Sequence, residues 1–272
     1  DAAGMKEGTM TIKGEGIADF TINLKGEVVD PTKYFENFES GKFAVNMITD
    51  ADWKMSSFPH AIGLSGNQYC AMEDNSTDNQ KLITPLLEVA AGDKFTFLAG
   101  KTTTSGCHLN IYYSTDRKTW TNVRTLSVDA ENEADKFPET KVGASYSSNY
   151  EMALYELDNI PAGQYYLAFE AGGVHLDNLY GFKPVAVNHD LVVTENIVPE
   201  SVMTNHSLKV TATFKNVNLA DEPAGSYTAT LHFGDETIKT DAPVLKAGEA
   251  QTFTFLTTPH VAGDVKTYVE LK

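Results

Sequence analysis

Apolar and polar residues alternate with period two from one end of this chain to the other, and that rhythm constrains the fold more than any other feature. DFTINLKGEVV sets Phe20, Ile22 and Leu24 against Thr21, Asn23 and Lys25. LNIYY alternates Leu109, Ile111 and Tyr113, and SLKVTATFKN alternates Leu208, Val210, Ala212 and Phe214. SYTATLHFGDETI alternates Tyr227, Ala229, Leu231 and Phe233, then turns at Gly234-Asp235. Successive side chains of a strand point to opposite faces, so each stretch describes a strand with one buried face. Helical periodicity is nearly absent. Short strands with turn signals about every 8–12 residues predict an all-β chain built of sandwiches.

The 272 residues exceed the ~100–200 of one domain. Residues 1–32 read as one hairpin, turning near Lys13-Gly14-Glu15-Gly16 and stopping at Asp30-Pro31. A lone hairpin is marginal in water, so this one either docks on a neighbour or is the remnant of a preceding domain. Residues 33–184 form a large middle block, and residues 185–272 hold about seven strand candidates, the size of an immunoglobulin-like sandwich.

Charge narrows the partners. Asp and Glu number 37 against 21 Lys and Arg, a net charge of −16. Tracking a nucleic-acid backbone needs clustered Lys and Arg, and so does an anionic membrane surface. Excess carboxylate suits divalent cations instead. No apolar run approaches the ~18–20 residues that span a bilayer. Cys70 and Cys107 are either one disulfide or two buried thiols, and no His/Cys spacing suggests zinc.

Few motifs point to catalysis. Ser114 to Trp120, STDRKTW, nearly matches the S-x-D-x-G-x-T-W Asp-box, with Lys118 where the pattern has Gly. Its physical content is a hairpin turn whose Asp accepts hydrogen bonds from turn amides. Arg117 and Arg124 flank that hairpin, which leaves no arginine clamp for a sialidase-type site. GLSGN, Gly63 to Asn67, lacks the helix that a nucleophile elbow requires. Cys107 and His108 are adjacent, so on a strand they face opposite ways.

Two residue classes are candidates for binding. Asp177 lies among apolar neighbours in GVHLDNLYGF, where alternation places it with His175 and Leu179. A carboxylate there needs a hydrogen-bond network, a basic partner or a hard cation. The aromatic residues Trp53, Tyr112, Trp120, Tyr146 and Tyr150 are candidates for stacking on sugars, against the commoner role of core or rim packing.

In its order of features the middle block resembles the cleaved adhesin family, the jelly-roll modules of gingipain-type haemagglutinins. FENFESG is similar to that family's opening F-E-S-G, LITPLLEV to its L-x-T/S-P strand, and LNIYYSTDRKTWTNV to its strand, S-T-D turn and Trp. YYLAFEAGGVHLDNLYGF resembles its closing strands. Residues 189–271, with HDLVVTENIVP, SLKVTATFKNVN and LKAGEAQTFTF, resemble bacterial cell-adhesion-related immunoglobulin-like domains. The first thirty residues are similar to the last strands of another such domain. These resemblances imply export from a Bacteroidetes-type bacterium, display at the cell surface, and binding of glycan or host protein without catalysis. They also imply a structural calcium held by Glu39 of F-E-S-G and Asp177 of L-D-N, with Glu36 as the alternative because it duplicates the Phe-Glu step. The rival readings are a structural spacer within a longer surface protein and an accessory region of a secreted hydrolase.

Overall fold

The computed structural model describes residues 4–16, 18–50, 52–56, 70–73, 80–139 and 150–272. Among them there is no α-helix, as the period-two rhythm predicts. The strands are β1 (Gly4–Ile12), β2 (Phe20–Val28), β3 (Tyr34–Glu36), β4 (Ile48–Thr49), β5 (Lys54–Ser56), β6 (Cys70–Glu73) and β7 (Gln80–Ile83). Next come β8 (Leu87–Val89), β9 (Phe95–Lys101), β10 (His108–Ser114), β11 (Thr121–Ser127), β12 (Ala153–Leu157), β13 (Gly163–Gly172), β14 (Val174–Gly181) and β15 (Lys183–Pro184). The last six are β16 (Leu191–Ile197), β17 (Leu208–Asn216), β18 (Thr228–Phe233), β19 (Glu236–Asp241), β20 (Ala250–Thr257) and β21 (Thr267–Leu271). The chain divides into two compact units, residues 1–186 and 187–272.

In the first unit, β1 and β2 form an antiparallel hairpin that pairs Met10 with Ile22 and Ile12 with Phe20. The rest is a two-sheet sandwich. One sheet runs β11-β10-β13-β7-β4, with β8 and β15 joined at the first half of β13. The other runs β12-β9-β14-β6-β5, with β3 paired to β14. Inward-facing residues of both sheets form one core around Phe95, Phe97, Leu109, Ile111, Phe169 and Leu176. Phe97 on β9 meets Phe169 on β13 edge-on, with centroids 5.4 Å apart, and so ties sheet to sheet. Two fully buried phenylalanines in contact are worth several kcal/mol of apolar burial, and aromatic geometry adds about 1 kcal/mol.

Strict alternation fails on β14, and the failure positions the candidate site. Asn178 adopts a left-handed backbone at φ 48°, and the register against β9 shifts between Asp177 and Tyr180. A bulge inserts an extra residue and reverses the phase beyond it. Leu179 therefore joins Val174 and Leu176 in the core, and does not share a face with Asp177 as alternation alone predicts.

The second unit is a smaller sandwich of two three-stranded sheets, β16-β17-β20 and β19-β18-β21. Its core contains Val210, Phe214, Leu231, Phe253 and Phe255. It has six strands where the sequence suggested about seven. β20 and β21 lie in different sheets, whereas β1 and β2 pair directly, so the N-terminal hairpin is not arranged like the closing strands of this sandwich.

Candidate functional site

Asp177 sits in the middle of the second sheet, 1% exposed. One of its oxygens, Oδ1, accepts from the backbone N–H of Asn178 at 2.7 Å. The other, Oδ2, is buried with no hydrogen-bond partner among the described residues. Burial pushes the carboxyl up to about 7, and the charges of Glu39 and Glu36 push it the same way, against the Asn178 N–H. Asp177 thus lies in the electrostatic field of both glutamates that the resemblance names. Glu36 is itself raised by burial, while its Oε1 accepts from the backbone N–H of Phe38 at 2.7 Å. That turn holds Phe38 at φ 57° and Gly41 at φ 67°.

Cys70, which follows in register beside Asp177 on β6, completes the neighbourhood. It is a free, buried thiol, pushed up to about 12 by desolvation and then by the charge of Asp177. Cys107 is also free and buried, so of the two cysteine readings the structure takes the two buried thiols. Among the described residues, no three His, Cys, Asp or Glu side chains form a metal cage by themselves. A hard cation accepts backbone carbonyl and water oxygens as well. The Asp177 Oδ2, buried with no donor and in the field of Glu39 and Glu36, is a polar atom that a hard cation would satisfy.

The aromatic candidates scatter. Trp53 is 4% exposed and donates its indole N–H to the Gln80 carbonyl at 3.0 Å, so it is a core residue and presents no stacking face. Tyr150, 2% exposed, lies under the Lys101 ammonium, 4.4 Å from its ring centroid. These two expectations are corrected: in a thin sandwich, large rings fill the space between sheets. Trp120 is half-buried just before β11. Tyr146 and the GLSGN segment lie outside the described residues. Tyr112 alone among the described four stands, half-buried, on the outer face of the first sheet, because Leu109 and Ile111 take the inward phase of β10.

Around Tyr112 lies a group that sequence reasoning missed. Thr125, Asn110, Glu170 and Lys81 stand in one row across four strands. Thr125 donates to Asn110 Oδ1 at 2.8 Å, and Asn110 donates to Glu170 Oε1 at 3.4 Å. Lys81 pairs with Glu170 Oε2. The Tyr112 hydroxyl donates to Glu170 Oε1 at 3.1 Å. The available signal was Glu170 in YYLAFEAGG, a charge set in the outward phase of an otherwise apolar strand.

The Asp-box residues form the turn their motif describes. Asp116 Oδ1 accepts from the N–H groups of Lys118 (2.8 Å) and Thr119 (2.9 Å), and Ser114 Oγ accepts from that of Arg117 (2.9 Å). Arg117, not the residue in the motif's glycine position, takes the left-handed backbone, at φ 59°. In the second unit, Glu222 accepts from both His189 Nδ1 (2.7 Å) and Ser226 Oγ (3.3 Å). Here the carboxylate stands between serine and histidine, whereas general-base activation needs the imidazole in the middle.

With this geometry in hand, the chain can be set beside known proteins. No curated protein matches it. Among solved structures it is similar to cleaved adhesin domains of Lys-gingipain. The K1 domain from Porphyromonas gingivalis W83 aligns at 22% identity and TM-score 0.40, over 57% of this chain and 99% of that one. The K2 domain aligns at 17% identity and TM-score 0.37, over 56% and 99%. The K3 domain from the same strain as K1 aligns at 15% identity and TM-score 0.33, over 55% and 98%. Likeness at this level carries no argument about activity, and the sandwich assignment rests on the strand pairing itself. Residues 188–271 match the model of the CARDB family, which is immunoglobulin-like and cell-adhesion-related.

Proposed function

We propose that this chain is a non-catalytic surface adhesin or accessory binding module, displayed outside the cell, which works by contact with a glycan or an extracellular host protein. The observation that carries the reading is the match of residues 188–271 to an adhesion-related family; the other unit has a sheet whose outer face carries Tyr112, Asn110 and Lys81. The one Ser–carboxylate–His grouping described has the wrong order for nucleophilic catalysis, which favours contact over chemistry. The test is retention of the full 272-residue chain on immobilised glycans and on extracellular matrix proteins. Saturable binding to either supports the reading. Binding to neither, with the fold intact, favours a spacer that holds other domains apart.

The same reading includes a structural calcium at Asp177 and Glu39, with Glu36 as the alternative ligand. The ion would supply positive charge where the Asp177 Oδ2 has no donor, and would pin the turn after β3 to the centre of β14. Thermal melts in calcium and in chelator test it: superimposed curves would remove calcium from the account.

A further inference from the structure

We propose that the outer face of the sheet β11-β10-β13-β7-β4 is a saccharide-binding platform centred on Tyr112 and Glu170, and that its ligand is a neutral pyranose-containing glycan. This rests on the binding-module reading and names the ligand class and the site.

Glu170 is on the outer face, yet its side chain is 9% exposed. It is covered by its own partners: Lys81 holds Oε2, while Asn110 and the Tyr112 hydroxyl hold Oε1. Asn122 donates to Thr125 Oγ1 at 3.4 Å, which extends the polar row. The phenol is thus tied at its tip to Glu170. Held so, the half-buried ring loses less side-chain entropy on binding than a free one would. Lys81 Nζ lies 5.8 Å from the Tyr112 ring centroid, so cation, ring and carboxylate form one cluster. Ala168 lies opposite Tyr112 across the strand pair and next to Glu170 in phase, which keeps the floor between them small. Tyr166, two residues before it, is stacked by the Arg117 guanidinium at 4.5 Å and supplies a second ring on the same face.

The chemistry of this row is that of a polyol site. A pyranose has an apolar C–H face and a rim of hydroxyls, each both donor and acceptor. A ring fits the first, and carboxylate, amide and ammonium groups in fixed positions fit the second. The charge balance selects neutral sugars. Lys81 is spent on Glu170, and the chain carries a net charge of −16, which repels sialylated or sulfated chains before contact.

The experiment uses the full chain on an array carrying neutral, sialylated and sulfated oligosaccharides together with extracellular matrix proteins, and compares it with Tyr112→Ala, Tyr112→Phe and Glu170→Gln. Melting curves establish that each variant is folded. Tyr112→Phe keeps the ring, so it serves if the alanine variant does not fold. The expected result is binding to neutral glycans, weakened at least tenfold in Tyr112→Ala and severalfold in Tyr112→Phe and Glu170→Gln. Neutral-glycan binding unchanged in all folded variants overturns the site and leaves the binding-module reading standing. Binding confined to anionic glycans, or to proteins, overturns the ligand class. Binding to nothing on the array overturns both.

Discussion

Two buried carboxylates on the two sheets of one sandwich meet opposite environments. Glu170 is closed in by an ammonium, a phenol and an amide. Asp177, just as buried, has one backbone donor on Oδ1, nothing on Oδ2, and two further carboxylates in its field. A buried charge costs several kcal/mol unless it is paired and hydrogen-bonded. Glu170 therefore has its hydrogen-bonding and charge partners within the chain, whereas Asp177 needs a proton or a cation. The first is a finished surface and the second an unfinished centre, and the two respond in opposite ways when a partner is added or removed.

The largest loss is expected from breaking the finished one. Lys81→Met leaves the Glu170 carboxylate buried without its cation and costs about 3–4 kcal/mol, toward the lower end for a broken buried pair because Lys81 is a quarter exposed. Glu170→Gln alone costs under about 1 kcal/mol, since the stranded ammonium can turn to water. The double variant recovers most of the Lys81→Met loss. Urea melts of the four proteins measure this cycle, and a double variant no more stable than Lys81→Met would mean that the lysine matters through packing, not charge.

Asp177 comes next, with the opposite sign. An unfolded Asp ionises near 3.8 and this one near 7, so between those values the native state holds the extra proton. Stability in chelator therefore falls as pH rises across that window and is flat above it. Asp177→Asn removes the dependence and gains about 4 kcal/mol at pH 8, and almost nothing at pH 4. The calcium proposal predicts that the ion restores wild-type stability at pH 8 and leaves Asp177→Asn unchanged. A flat wild-type profile in chelator would mean that Oδ2 has a partner after all.

The same contrast marks what the sequence could disclose. Alternation and turn spacing reveal an all-β chain, because each strand with one wet face writes its own pattern. On β14 both faces are buried, so the pattern has no polar phase, and the bulge at Asn178 reverses it unseen. Asp177 was legible as an anomaly, a charge in an apolar run. Its link to Glu36 and Glu39 came only through the family resemblance, not through the pattern itself, since it depends on β3 pairing with the end of β14, a contact across more than a hundred residues. Glu170 carried the same kind of signal, but its partners Lys81 and Asn110 come from two other strands and look like ordinary surface residues. Trp53 and Tyr150 fail as a platform for a related reason: which side of a sheet a ring occupies is decided by register, and a short strand sets that only through its neighbours.

A third carboxylate, Asp116, sharpens the comparison at its small end. It is exposed and saturated: two turn amides and the Ser114 hydroxyl donate to it, and those bonds hold it below the usual Asp value. Water would satisfy it nearly as well, so its removal costs only the ordering of the turn. Asp116→Ala is expected to lower the melting temperature by no more than about 3 °C, an amount typical of a lost turn bond on a surface. The sign with pH is the reverse of that for Asp177. A depressed carboxyl contributes above its unfolded value, so the gap between wild type and variant should close as pH falls through the native one. Should Asp116→Ala instead cost as much as Lys81→Met, the turn would be supporting the packing of the β10–β11 edge, and exposure would no longer separate the three carboxylates.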